Sequence, residues 1–219
     1  MFPNIEDYDT RDIRQLGLYA WKFDLFALRQ LIEFNNDGLN LKIGDLCNEA
    51  IIANEIGDFR RHCDLTMETM SFHKIEPWMF QSTFLSLYSV VEASLDRHCD
   101  ICQKQFNLSV RKEDLKDKGI ARAVGYLEKV VEVEKITADN RWAKMLNLNK
   151  LRNDIIHRSG IVENPKNISL YKYEFNIELV DGKIYINYEN MITIYEHIER
   201  FVEFIFLRDC KDKNRSFKI

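Results

Sequence analysis

Chain breakers are scarce in this sequence, which has 8 glycines and 3 prolines among 219 residues. A fold of many short strands and turns needs more, so the shortage points to long helices. Export signals are missing as well. Met1-Phe2-Pro3-Asn4-Ile5-Glu6-Asp7 has neither a basic nor an apolar segment and does not read as a signal peptide. The strongest apolar run, residues 201–207, is interrupted by Glu203 and is far too short to span a bilayer. The 5 cysteines (Cys47, Cys63, Cys99, Cys102 and Cys210) are odd in number and lack framework spacing. They read as reduced thiols in a cytoplasmic protein with no membrane association. Neither sign of charge dominates, with 31 basic against 35 acidic residues and a net charge of −4. A protein that coats duplex nucleic acid carries a basic face, so any nucleic-acid contact here comes from a local basic pocket. A phosphate-cradling glycine loop, a Gly-x-Ser-x-Gly elbow and a His-Glu-x-x-His pattern are absent too.

What the chain does have is apolar content, 46% of residues, arranged mostly at helical spacing. Leu16, Tyr19, Phe23, Phe26, Leu31 and Phe34 predict a helix over about 10–34, with Asn35-Asn36-Asp37-Gly38 as its stop. A second helix is expected over 43–62 on Ile43, Cys47, Ala50 and Asn54, weakened by Gly44 and Gly57. Residues 65–77 are the one plausible boundary, dividing an N-terminal helical region, 1–75, from a bundle, 76–219, with Pro77 as a helix start. Phe80, Phe84, Leu87, Val91, Leu95, His98 and Cys102 then step by threes and fours, the inner face of a bundle helix. The charged run 111–118 reads as a solvated loop and 120–133 as a helix. A further helix turns Trp142, Met145, Leu148, Leu151 and Ile155 inward, and Gly160 stands where a left-handed cap belongs. A β-hairpin is expected over about 168–188 around Asp181-Gly182, and a last helix over 190–208 on Ile194, Ile198, Phe201 and Ile205. The fold class is therefore mainly α, a helical bundle with an inserted β-hairpin before the last helix.

Chemistry gathers at Arg152-Asn153-Asp154-Ile155-Ile156-His157. A helical residue turns about 100° and rises about 1.5 Å, so Asn153 and His157 share a face one turn apart. Arg152 leaves from a flank, and its long side chain can swing toward that face, while Lys150 and Arg158 add positive charge. A guanidinium pairs with phosphate oxygens through parallel hydrogen bonds. An imidazole moves protons near neutral pH, and a place in the last helical turn favours its charged form. Together they suit phosphoryl transfer at RNA, with no metal or other cofactor required.

Arg152-Asn153-Asp154-Ile155-Ile156-His157-Arg158-Ser159-Gly160 resembles the Arg-x4-6-His signature of the HEPN superfamily. The upstream helix around 84–95, the run from Trp142 into Arg152 and the last amphipathic helix also resemble that family, over about residues 78–208. The resemblance implies a four- or five-helix bundle that pairs as a homodimer, so that two motif helices build one cleft. It implies a metal-independent ribonuclease of toxin–antitoxin or antiviral systems, with RNA as substrate and an antitoxin or regulatory protein as partner. Arg152 and His157 match the catalytic pair, Asn153 the polar helper, and Glu92 an acidic residue that some members carry on the neighbouring helix. Ser159 stands where one subgroup has a tyrosine two residues after the histidine. The alternative is a non-catalytic HEPN module that binds a nucleotide, RNA or a partner protein.

Two other features are read structurally. Cys99-Asp100-Ile101-Cys102, with His98 beside it, lacks the second ligand pair of a zinc site and is expected to be buried thiols. Tyr171, Tyr173, Phe175, Tyr185 and Tyr188 could stack on bases, but cross-strand packing on the hairpin is the simpler expectation.

Overall fold

The computed structural model describes residues 13–206, with side chains from residue 17 onward. Six α-helices follow one another: α1 (Ile13–Glu55), α2 (Phe59–Gln105), α3 (Gly119–Tyr126), α4 (Asn140–Arg158), α5 (Pro165–Phe175) and α6 (Tyr188–Phe206). A hairpin of β1 (Glu178–Val180) and β2 (Lys183–Tyr185) stands between α5 and α6. No described helix is long and apolar enough to cross a membrane. The expected starts and ends at residue 10, at residues 207–208 and at Cys210 lie outside the described residues.

The bundle faces read from the sequence are buried. Phe80, Phe84, Leu87, Val91, Leu95, His98 and Cys102 are enclosed on α2, as are Trp142, Met145, Leu148, Leu151 and Ile155 on α4. Ile194, Ile198, Phe201 and Ile205 are enclosed on α6.

The N-terminal reading needs correction. α1 does not stop at Asn35-Asn36-Asp37-Gly38 but runs through to Glu55. Its buried residues are Leu25, Ile32, Leu39, Leu46 and Ala53, spaced by sevens, with Trp21 and Ala50 beside them. This seam carries the helix across Gly38, whose intrinsic cost is only about 1 kcal/mol. Tyr19, Phe23, Phe26, Leu31 and Phe34 are exposed instead. Both faces of α1 are apolar, and the larger aromatics drew the sequence reading to the outward one. Of Ile43, Cys47, Ala50 and Asn54, only Ala50 is buried. Pro77 starts no helix either, because it lies inside α2, and residues 65–77 are helical throughout.

The described chain separates into two compact units whose boundaries fall within α1, α2, α4 and α6. In one, the described residues before Ala27, Tyr88–Met145 and the described residues from 197 to 206 share a core in which Trp142 stacks on Phe201 with ring centroids 6.0 Å apart. The charged run there is not fully solvated. Lys112 is buried, and its Nζ donates to the Asp96 carbonyl at 3.1 Å and pairs with Asp100 at 2.9 Å.

The other unit holds Ala27–Leu87 and Leu146–Glu196. Here α1 and α2 form an antiparallel arm. Its tip is a left-handed Gly57 (φ +78°), with the Asp58 amide donating back to Ala53 O at 2.9 Å. Leu46, Ala50, Ala53 and Leu65 pack inside the arm with Phe72 against them, and Arg61–Glu49 pairs across it at 3.2 Å.

Residues 168–175, expected as strand, belong to the helix α5. Asn164 caps it by accepting from the Lys166 amide at 3.0 Å, Pro165 presets its first turn, and Tyr171 and Phe175 bury one face. The hairpin is correspondingly short. Its turn has φ of +52° at Asp181 and +75° at Gly182, the double left-handed geometry that Asp-Gly favours. Asn187 and Asn190 cap α6 reciprocally at 2.9 and 3.0 Å.

Candidate functional site

The end of α4 lies wholly within this second unit. Opposite its buried edge, Leu146, Lys150, Asn153 and His157 recur by fours and threes along an outward face. Arg152 Nη1 donates to Asn153 Oδ1 at 3.2 Å, and both side chains are half-buried. That contact ties the guanidinium to the carboxamide. One turn later the imidazole of His157 is exposed, with no hydrogen bond or ion pair to a described residue. Lys150 is exposed and donates to Asn147 Oδ1 at 3.2 Å.

Glu92 belongs to the first unit. Its Oε1 stands 2.7 Å from where a Cβ on Gly119 would be, a contact that a turn of the flexible carboxylate relieves, so the demand for glycine at 119 comes from its backbone. Gly119 (φ +55°) opens α3, and a carboxylate at a helix start is favourable.

Sequence reasoning passed over Asp154, which organises the helix end. Asp154 is buried, and its Oδ2 accepts from Tyr171 Oη at 2.8 Å and from Asn167 Nδ2 at 3.2 Å. Its Oδ1 lies 3.7 Å from Arg158 Nη1. Burial, followed by the hydrogen bond to Asp154, pushes the Tyr171 phenol far above its ordinary range. The motif's one carboxylate is therefore turned inward and occupied. Asp154 thus faces the core, while Arg152 and Asn153 are half-buried and His157 is exposed.

The chain then leaves α4 through two left-handed residues, Ser159 (φ +52°) and Gly160 (φ +77°). The Gly160 amide donates to Asp154 O at 3.0 Å, and its carbonyl accepts from Ile184 N at 2.8 Å, joining the helix end to β2. A Cβ at 160 would meet nothing closer than 3.7 Å, so the requirement for glycine is backbone conformation and not space. Gly160→Ala is expected to destabilise the fold by about 1–2 kcal/mol, and Gly160→Asn by less, because asparagine tolerates this region. Urea unfolding of the two variants checks that order.

The chain matches no family model, no curated protein and no solved structure. Its chemistry therefore rests on the side chains themselves.

The cysteines sit as follows. Cys99 and Cys102 are buried within α2, Cys99 Sγ reaches Ala123 O at 3.5 Å, and Cys102 Sγ is 3.9 Å from His98 Nε2. Burial pushes the Cys99 thiol well above its usual range, which makes it a poor thiolate ligand. Among the described residues no three His, Cys, Asp or Glu side chains are placed to share a metal ion.

The aromatics of 171–188 do not form a cross-strand set. Tyr171 and Phe175 are buried on α5, Tyr173 is exposed there, and Tyr188 opens α6. Tyr185, on β2, donates to Glu76 Oε2 at 2.7 Å, and burial and that bond push its phenol up to about 12.

Proposed function

We propose that this chain is a metal-independent endoribonuclease of the HEPN type, a cytoplasmic homodimer acting in phage defence or a toxin–antitoxin system. The observation that carries the reading is a guanidinium held by Asn153 one turn before an exposed imidazole, with the intervening carboxylate turned into the core. Arg152 clamps the non-bridging oxygens of the scissile phosphate. The 2′-oxygen attacks phosphorus and its proton passes to solvent. As the bond from phosphorus to the 5′-oxygen breaks, His157 gives that oxygen a proton. The products are a 2′,3′-cyclic phosphate and a 5′-hydroxyl. Wild-type protein is expected to cleave single-stranded RNA in EDTA and leave these ends. Intact RNA, or cleavage only with added metal, contradicts the reading.

The composite cleft requires a second copy, and α4 carries apolar residues suited to meeting one. Leu146, in line with Asn153 two turns earlier, and Ile156, on one flank of the Asn153–His157 edge, are 36% and 44% exposed. Ile156→Glu is expected to give a monomer by sedimentation, with a melting temperature that no longer depends on protein concentration and with lost cleavage. A dimer that persists in this variant places the interface elsewhere.

A further inference from the structure

A cleft of about 380 Å³ opens in the second unit, between α2, the hairpin and the residue after α4. Its chemistry differs from that of the outward face of α4. Trp78 and Tyr185 line it as ring surfaces, Lys74 and Lys183 as ammonium groups and His73 as an imidazole, and no carboxylate lines it. Glu76, beside Pro77, accepts the hydroxyl of Tyr185, while Glu178 and Asp181 stand next to lining residues on the hairpin. Lys74 and Lys183 are exposed, and neither is paired with a described residue. Trp78 is 66% exposed, a large cost for the side chain with the most to gain from burial.

The backbone adds a polar group. Pro77 lies inside α2 and has no N–H, so the carbonyl of His73 lacks its usual donor four residues on. His73 and Pro77 both line the cleft. One concavity therefore gathers Trp78, whose indole is exposed, Lys74 and Lys183, unpaired among the described residues, and the residue whose carbonyl Pro77 leaves without its helical donor. An aromatic platform beside cations takes a planar base joined to a phosphate, because stacking and phosphate pairing are then satisfied together.

We infer that this cleft binds a nucleoside monophosphate unit, with the base against Trp78 and the phosphate held by Lys74 and Lys183. Ser159 lines it two residues beyond His157, so the cleft begins where the motif helix ends. The site is distinct from the residues proposed for cleavage and does not require that cleavage occur.

The test uses the whole chain and intrinsic fluorescence. Trp21 and Trp142 are buried, 1% and 8% exposed, so Trp78 is the indole that a ligand can reach. Titration with adenosine 5′-monophosphate is expected to quench emission saturably. The double variant Lys74→Ala/Lys183→Ala should keep its melting temperature and weaken binding by about tenfold or more. Adenosine alone and inorganic phosphate alone should each bind at least roughly tenfold more weakly than the nucleotide. Calorimetry on Trp78→Leu should show the same loss without relying on the fluorophore. The variant Arg152→Ala/His157→Ala should bind as wild type does, which separates this site from the cleavage proposal. Tighter binding of a short single-stranded oligoribonucleotide than of the mononucleotide would identify the unit as a residue of RNA, and the reverse as a free nucleotide. No saturable quenching at millimolar nucleotide overturns the inference. So does binding unchanged by loss of both lysines, or inorganic phosphate binding as tightly as the nucleotide.

Discussion

RNA cleavage is expected to fall by about 10²–10⁴-fold when His157 is replaced by alanine, the range spanned by loss of a positioned proton donor. His157 is exposed and its imidazole makes no hydrogen bond or ion pair with a described residue, so the variant should melt with the wild type. Activity and fold are then read separately. Arg152→Ala should lose at least as much cleavage, and Arg152→Lys should recover little, since an ammonium cannot make two parallel bonds to phosphate. Asn153→Ala should fall between wild type and these variants, because it removes the 3.2 Å hydrogen bond to the guanidinium and leaves the guanidinium itself in place. Gel analysis of a labelled single-stranded RNA in EDTA, with end-group analysis of the products, provides the measurement. Cleavage that survives in His157→Ala would remove that side chain from the chemistry whatever the other variants do.

The largest expected loss of stability comes from a residue with no proposed chemistry. Asp154→Ala strips the acceptor from the buried Tyr171 hydroxyl and from Asn167, and is expected to cost about 2–4 kcal/mol. Asp154→Asn keeps the shape and one acceptor and should cost less. Both should unfold at lower urea, and RNA cleavage should fall because the end of α4 is no longer tied to α5. Tyr171 gives a second readout. Its folded phenol is raised above the unfolded value of about 10, so this group's contribution is fully present below that pH. Above it the unfolded chain releases the proton and the folded chain keeps it, so stability falls as pH rises. Tyr171→Phe should flatten that decline by up to about 1.4 kcal/mol per pH unit. An unchanged alkaline slope in Tyr171→Phe would show that the phenol is not held as described.

Much of the bundle was legible because its helices carry one apolar face each. The residues of 80–102, 142–155 and 194–205 picked by threes and fours are the buried ones, and Asp181-Gly182 made the turn its chemistry favours. α1 was misread because two apolar faces oppose each other on one helix, and periodicity cannot say which one meets a partner. α5 was missed because Tyr, Ile and Phe carry strand propensity, which the Asn164 cap and the burial of Tyr171 and Phe175 override. At the site, the adjacency of Arg152 and Asn153 and the outward His157 followed from helix geometry. Asp154 did not, since its partners stand 13 and 17 residues away, Asn167 just before a segment read as strand and Tyr171 inside it. Nor did the cleft at Trp78, which needs α2 to run unbroken through Pro77.

The arm has a fixed register. Ile32, Leu39, Leu46 and Ala53 keep a seven-residue step, while a straight α-helix drifts about 20° per seven residues, so the seam must wind left-handed to stay closed. A single residue inserted or deleted between Leu39 and Leu46 turns everything beyond it by about 100°, which would swing Leu46, Ala50 and Ala53 into water. The arm can therefore change length only in whole sevens, matched on α1 and α2, and its reach is quantised at about 10 Å per step.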